Sequence, residues 1–535
     1  MIISRRYFPR PEEYAAIAGS TILFAIAFPP FPLIVPAFLC LVPFAVAVVR
    51  RADSGGSWRQ AARLGFWFGM LGYAANLYWI AIALSIYTKL AIVGYIAALF
   101  VLAPVVALAG ICLFVLRRAT KLPLALLLPV VWVASEVVLN YMSDLAFPWL
   151  PLGLALSRTP LLAQAADLSG VRGLSFCIAA VNGLIADAWL QRSQRSAIAK
   201  RLAGAVAIVV ALAAYGAWRM RTTRLLPLAP VAIVQPNIPQ EEKWQAENQS
   251  RIEGILDEIT RKRLGLHDAR LILWPEASLP GFIQEHPEWS SDLRGMARSS
   301  RTPILFGTLD LEWHGPGDYD YYNAAMLVDS MGVLNAQPPY RKSYLVPIVE
   351  RVPFVNPRWF KGLKYFGGYG RGRNTKPFAV SFGKVGVLIC YESIFPQRSR
   401  EFRREGANLI VNITNDAWFG KSLAPYQHEA HMALRAIENR VGIVRAANTG
   451  ISGWIDPLGR VRAETPLFVP RTATYAVEEA HVRTLYTALG DWLGGLCAAA
   501  TVALVFASWR RSRLLRREDE RGARDQGVEV ESATS

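Results

Sequence analysis

The chain is 535 residues long, more than one ordinary domain holds, and 53% of it is hydrophobic. That apolar share is too high for an ordinary soluble globule and points to a chain that meets lipid. A net charge of +17 would by itself fit a nucleic-acid binder, but the placement of the cations excludes that reading.

From the N-terminus, apolar runs occupy residues 13–30, 33–49, 64–84, 90–116, 123–140, 161–190 and 202–219, and an eighth covers 485–508. A helix needs roughly 20 such residues to cross a bilayer. The sixth run is longer than that, so part of it is expected outside the bilayer. Arg5, Arg6 and Arg10 precede the first run, and Arg50, Arg51, Arg59 and Arg63 separate the second from the third. Arg117, Arg118 and Lys121 follow the fourth, Arg192, Arg195, Lys200 and Arg201 follow the sixth, and Arg510, Arg511, Arg513, Arg516 and Arg517 follow the eighth. The alternate loops are poor in cations, with Lys89, Arg158 and Arg172 the main exceptions. Cations gathered in every second loop mark the cytoplasmic side. Both termini are therefore expected in the cytoplasm, and residues 222–483 outside it.

The first run lacks a small-residue cleavage site before "PPFPLIVP" and is read as retained. The expected organisation is a membrane domain over 1–221, an extracytoplasmic domain over 222–483, an eighth membrane helix over 484–509 and a disordered tail over 510–535. Cys40, Cys112, Cys177 and Cys497 lie in or beside the apolar runs, so Cys390 is the one cysteine of the extracytoplasmic domain. In an oxidising compartment it has no disulfide partner within that domain.

Within 222–483, "APVAIVQPNIPQ", "ARLILWPEAS", "TPILFGTLD", "YYNAAMLVDSMG", "KVGVLICYES", "ANLIVNITNDAWFG" and "VGIVRAANTGISGWIDPLGR" read as short buried strands closed by Gly, Pro or Asn. "NQSRIEGILDEITRKRL" and "YQHEAHMALRAIENR" have helical spacing between them. Alternating strands and helices predict an α/β domain whose reactive groups collect at strand ends.

Three strand-end groups stand out: Glu276 after "LILWP", Lys342 in "PYRKSYLVPIVERVPF" with Glu350 eight residues on, and Cys390 closing "VLIC" with Glu392 two residues later. A thiol nucleophile needs a base for its proton and a positive donor for the developing oxyanion, and Glu, Cys and Lys supply these. Each also has an ordinary reading: a packed core thiol, a turn carboxylate, a surface cation beside Arg341. "HEAHM" sets His428 and His431 three apart without the HExxH arrangement, so it reads as helix surface, and no metal or cofactor is expected.

"LILWPEAS", "YRKSYLVPIVERVPF", "VGVLICYES" and "NITNDAWFG" together resemble the nitrilase superfamily, a likeness covering about half the chain. With the eight runs, "AFPWLPLG" before the sixth and "QPNIPQEEKW" entering the domain, the chain resembles that superfamily's membrane-embedded branch, the apolipoprotein N-acyltransferase family. The resemblance implies a polytopic helical membrane domain carrying an extracytoplasmic αββα sandwich. It further implies a triad of Glu276 as base, Lys342 as oxyanion stabiliser and Cys390 as nucleophile. Glu350, Tyr391 and Glu392 would support the triad, while Trp244, Asn323, Trp418, Phe419 and Trp149 would surround the substrates.

The implied reaction moves an acyl chain from a phospholipid, typically phosphatidylethanolamine, through a Cys390 thioester. The acceptor is the α-amino group of the diacylglyceryl-modified N-terminal cysteine of an apolipoprotein, at a bacterial inner membrane. No nucleic acid is expected, and a monomer is. The loop 356–374, "NPRWFKGLKYFGGYGRGRN", reads as a mobile, membrane-touching lid presenting Trp359, Phe360, Tyr365, Phe366 and Tyr369, with Gly367, Gly368 and Gly370 as its hinges. Trp149 is a second interface candidate. One departure is visible: family members commonly carry Gly immediately before the Glu matched by Glu350, where this chain has Val349, a residue that resists positive φ.

Three rival readings fit parts of the sequence. A membrane-tethered amidase acting on a soluble amide would use the same triad but has little use for eight spans. A transporter would line a path with ionisable residues, and only Glu136 and Asp187 stand out inside the runs. A non-catalytic scaffold would have lost part of the triad, and all three residue types remain.

Overall fold

The computed structural model describes residues 10–263, 269–316, 318–334, 336–360 and 367–532. Helices occupy every one of the eight apolar runs: Pro11–Ala25, Val42–Asp53, Trp58–Leu77 with Trp79–Ser85, Ala91–Thr120, Leu124–Asn140, Ala166–Leu190, Arg195–Thr222 and Trp492–Ser532. Among the described residues, five helices are long and apolar enough to cross a membrane, and Trp58–Leu77 with Trp79–Ser85, bent by 57°, would make a sixth. The apolar helices Glu13–Ala25 and Leu124–Asn140 are shorter.

Glu136 and Asp187 line no path. Glu136 accepts from Trp132 Nε1 (3.1 Å) and Leu152 N–H (2.8 Å), and Asp187 accepts from the N–H groups of Leu124 and Ala125 (both 3.0 Å), fastening helix ends. The last helix continues to Ser532 where an unordered tail was expected. The tail is rich in Arg and Glu, residues with good helix propensity, and no proline interrupts it.

The strands are β1 (Leu226–Gln235), β2 (Leu271–Leu273), β3 (Ile304–Gly315), β4 (Asp318–Val328), β5 (Tyr340–Arg341), β6 (Phe378–Val380), β7 (Gly383–Ile389), β8 (Leu409–Thr414), β9 (Gly442–Ala447), β10 (Gly453–Ile455), β11 (Val461–Glu464) and β12 (Arg471–Glu479). They form two six-stranded sheets, ordered β12-β1-β2-β3-β4-β5 and β11-β10-β9-β8-β7-β6. Each has a parallel centre, β1-β2-β3 and β7-β8-β9, with antiparallel flanks. Parallel strands are buried on both faces, which is why every residue of β8 and β9 is buried. Val231, Leu273 and Leu305 of one sheet meet Val387, Val411 and Val444 of the other in the central core.

Helices Gln249–Arg263 and Pro287–Ser300 cover the outer face of the first sheet through Ile252, Leu256, Trp289 and Leu293. On the second sheet lies Ala424–Asn439, and the membrane part covers that helix in turn. Ala430, Leu434 and Ile437 share a core with Leu152, Leu174 and Ile178 of the membrane part. Polar ties reinforce the junction: Arg440 with Asp167 (2.6 Å), Val171 N–H to Glu438 (2.9 Å), Arg158 with Glu429 (2.7 Å) and Trp149 Nε1 to Gln427 (2.9 Å).

This junction corrects two sequence expectations. His428 and His431 are fully buried rather than on a helix surface, because the polar face of their helix meets the membrane part. Trp149 is 1% exposed, stacked 5.7 Å from Phe147 and tilted 4.5 Å from Trp79, so it is not at a water–lipid boundary.

Candidate active site

Glu276 sits three residues past β2, in a turn where Ala277 takes a positive φ of 44°. Gly307 on β3 makes the approach possible: a Cβ there would lie 2.7 Å from the Glu276 Cα and 2.6 Å from the Ala277 nitrogen. Lys342 follows β5, its N–H bonded to the Asn323 carbonyl and its own carbonyl accepting from Gly372 N–H (both 2.8 Å). Cys390 closes β7 on the opposite sheet, with a left-handed φ of 49°, and opens the tight turn Cys390–Ile394. A non-glycine residue pays about 1–2 kcal/mol for that conformation. The three groups thus arrive from the ends of both sheets.

Lys342 Nζ donates to Glu276 Oε1 (3.2 Å) and Glu350 Oε1 (2.8 Å), while Asn323 Nδ2 bridges the same two oxygens (2.7 and 3.0 Å). Glu276 Oε2 accepts from Asn415 N–H (2.9 Å), and Glu350 Oε2 from Val346 N–H (2.8 Å). Two of the three ammonium protons are used, which leaves one for a developing oxyanion. Burial alone would raise the Glu276 carboxyl, but Lys342, Asn323 and Lys243 outweigh it and hold it below the usual range. Burial alone would lower Lys342, and the two carboxylates overcome it and keep it cationic. Burial, with Glu276 adding to it, raises the Cys390 thiol above its ordinary value. The resting pair is therefore a thiol beside a carboxylate base, not a preformed thiolate.

Glu392 is also fully buried, but it fastens the site rather than facing it. It accepts from Tyr340 OH (2.7 Å), Ser343 N–H (2.7 Å) and Ile389 N–H (2.9 Å), tying the Lys342 segment to the turn that carries Cys390. Tyr391 OH donates to the Ala146 carbonyl (2.8 Å) and anchors that turn to the membrane part. The positive φ near Glu350 falls on Ile348 (71°) and not on Val349, so the β-branched strain sits one residue earlier than expected while Glu350 still reaches Lys342.

Glu276, Lys342 and Cys390 line a cavity of about 670 Å³. Trp244, Asn323, Trp149, Trp418 and Phe419 line it too, as do Leu84, Ala97 and Val101 of the helices Trp79–Ser85 and Ala91–Thr120. Trp418 stacks on Tyr87 from the loop between those helices (5.1 Å, 14°). Of the expected lid aromatics, Trp359 is 78% exposed, whereas Tyr369 is buried against Tyr321 (4.8 Å). The Phe360 side chain, Tyr365 and Phe366 lie outside the described residues. Phe354, also largely exposed, and Arg371 are pinned to Asp144 of the membrane part (3.0 and 2.9 Å).

Sequence reasoning passed over Tyr87, Asn415 and Lys243. Lys243 is buried, donates to the Glu276 carbonyl (2.9 Å) and is pushed down by that burial to about 8. Its place in "EEKW" beside Trp244 was the available signal. No cluster of three or more metal-ligating side chains occurs among the described residues.

The model of the carbon-nitrogen hydrolase family matches residues 230–486, and that of the apolipoprotein N-acyltransferase N-terminal domain matches residues 20–184. An apolipoprotein N-acyltransferase of Geobacter metallireducens is 33% identical over 94% of this chain and 96% of its own length. One of Methylococcus capsulatus is 33% identical over 93% and 96%, respectively. Among solved structures, an amidase mutant from Nesterenkonia sp. AN1 with acrylamide added at its active-site cysteine is 19% identical, covers 46% of this chain and 92% of its own, and superposes with a TM-score of 0.34. A carbon-nitrogen hydrolase from Helicobacter pylori G27 is 14% identical, covers 46% and 88%, and has a TM-score of 0.35.

Proposed function

The chain belongs to the apolipoprotein N-acyltransferase family, and from that premise we propose that Cys390 takes an acyl chain from phosphatidylethanolamine and passes it to the amino-terminal cysteine of a diacylated lipoprotein. It is a membrane acyltransferase with phospholipid and lipoprotein substrates. The residue roles, the donor, the periplasmic site, the cytoplasmic termini, the monomeric state and the inner membrane are our reading.

Glu276 takes the thiol proton as Sγ attacks the donor ester carbonyl. The oxyanion forms against the remaining Lys342 N–H and the Tyr391 backbone N–H. Collapse breaks the C–O bond, and Glu276 returns the proton to the departing lysophospholipid oxygen, leaving a thioester. The acceptor amine, with a pKa of roughly 8, then attacks. Glu276 accepts its proton, the C–S bond breaks, and the proton goes back to Cys390. Splitting the transfer in this way predicts ping-pong kinetics.

The observation that carries the proposal is the single cavity joining the triad to the helices Trp79–Ser85 and Ala91–Thr120. A soluble amide needs no such apolar extension, while an acyl chain arriving from a bilayer does. Exposed Phe354 and Trp359 support a lipid-facing edge beside it. The test is the intact mass of the full chain after incubation with phosphatidylethanolamine, beside Cys390→Ala. A hydroxylamine-labile gain of one acyl chain in the wild type alone is expected. An unmodified wild type that instead hydrolyses soluble amides would replace this proposal with the amidase reading.

A further inference from the structure

Beside the turn that carries Cys390 lies a second buried polar cluster that the mechanism does not use. Asp416 follows β8, His428 lies on Ala424–Asn439 and Arg445 on β9, and none is more than 1% exposed. Arg445 Nη2 donates to Asp416 Oδ2 (2.6 Å), Nε donates to the Ile451 carbonyl (2.9 Å), and Nη1 reaches Asn412. Asp416 Oδ1 lies 3.0 Å from His428 Nδ1 and accepts from Thr414 Oγ1 at 3.0 Å. The other ring nitrogen, His428 Nε2, lies 3.1 Å from the Cys390 carbonyl oxygen and 2.8 Å from Ser393 Oγ.

We propose that Asp416, His428 and Arg445 form a positioning centre for the nucleophile, holding the turn that begins at Cys390 through His428 Nε2, which meets Ser393 Oγ and packs against the Cys390 carbonyl. This rests on Cys390 being the nucleophile. A carboxylate only accepts, so the one proton of the neutral ring is on Nδ1 toward Asp416 Oδ1, and Nε2 accepts from Ser393 Oγ inside the turn that begins at Cys390. Burial, with Arg445 beside it, lowers His428 and keeps the ring neutral, so the cluster is an Arg–Asp pair with an oriented imidazole.

The need for such a centre follows from the Cys390 backbone. A left-handed non-glycine residue persists only where its surroundings hold it, and here its direction sets both Sγ and the Tyr391 N–H. Gly450 gives the carboxylate its room: a Cβ there would lie 2.3 Å from Asp416 Oδ2.

The test uses full-length protein in mixed micelles with phosphatidylethanolamine and three variants. His428→Phe keeps the ring that stacks on Trp149 (5.5 Å) but removes the hydrogen bonds, His428→Gln restores a polar group that can accept from Ser393, and Thr414→Val removes only the hydroxyl that donates to Asp416. Two readouts are taken: the single-turnover acylation rate against phospholipid concentration, and Cys390 alkylation by iodoacetamide without phospholipid. His428→Phe is expected to lose about 100-fold in the acylation rate at an unchanged half-saturating phospholipid concentration. Alkylation should fall in parallel, His428→Gln should recover most of both rates, and Thr414→Val should lose about tenfold in both. Wild-type rates in His428→Phe and Thr414→Val, a loss confined to the half-saturating concentration, or a His428→Gln no better than His428→Phe would each overturn the proposal. Alkylation needs no lipid, so it decides the positioning role even where phosphatidylethanolamine is not the donor.

Discussion

Helices Gln249–Arg263 and Ala424–Asn439 both lay an apolar stripe on a sheet of the same sandwich, yet their polar faces meet different surroundings. The first buries Ile252, Leu256 and Ile259 and turns Arg251, Asp257 and Arg261 to solvent, where Arg261 pairs with Asp257 (2.5 Å). The second sends Met432, Ala433 and Ala436 into the sandwich and Leu434 and Ile437 into the membrane part. Its polar residues between them find partners within the protein: Glu429 on Arg158, Glu438 on Arg435, His428 on Asp416 and Ser393. An amphipathic pattern tells which face is apolar but not whether the other face is wet. Where a further layer covers it, each polar group must be matched, and matched groups become available for function.

The comparison breaks first, and hardest, in catalysis, because the site is built between the two sheets and on the covered side. Glu276→Gln keeps the shape of the carboxyl but cannot take a proton, and thioester formation should fall by about 10²–10⁴-fold, read by intact mass against time. Substitutions of exposed residues on Gln249–Arg263 should leave that rate unchanged.

Stability sharpens the contrast next. Arg440 is fully buried and held by Asp167 and by Gln164, so Arg440→Met strands buried acceptors. A loss of about 3–5 kcal/mol is expected, measured by denaturant unfolding in detergent. A loss under about 1 kcal/mol would mean that the covered layer behaves like a surface one.

The effect of pH on the thiol comes third. Cys390 is raised above its ordinary 9.0, chiefly by burial, so at pH 9 it is still mostly thiol. Iodoacetamide alkylation should therefore keep climbing, by about tenfold per pH unit, where a free cysteine levels off. The sign for stability is the same: the protonated thiol is favoured in the fold, its contribution is complete below 9.0, and it is lost as pH rises through the raised value. A plateau near 8 would show a thiolate already formed at rest. The smallest effect belongs to the solvent layer, where Arg261→Met should change stability by no more than about 0.5 kcal/mol.

Much of the fold was legible because its signals are local. Eight apolar runs became helices, and "VGVLICYES", "ANLIVNITNDAWFG" and "TPILFGTLD" became β7, β8 and β3. The missed elements carry weak local signals: β5 is two residues long, β11 and β12 are partly exposed, and Pro287–Ser300 is mostly polar. In the site, Glu276, Lys342, Glu350 and Cys390 were named from strand ends and family motifs, and the cavity brings all four together. Trp149 lines that cavity, as a residue expected around the substrates would, but it is buried rather than at an interface, and His428 carries no local signal of its burial. Neither burial was legible from spacing, since both depend on which layer covers the helix Ala424–Asn439.

The sequence by itself determined what short range dictates: which stretches are apolar enough for lipid, where strands end, and which residue types stand at those ends. The tertiary structure alone decided which charges share a proton and which cations keep theirs. Those properties come from burial and from partners far along the chain, as when Glu276 meets Asn415 and Lys342, or His428 meets Cys390. Electrostatic strength in a protein depends on distance and on the exclusion of water, and neither is set until the two sheets and the membrane helices close around the cavity.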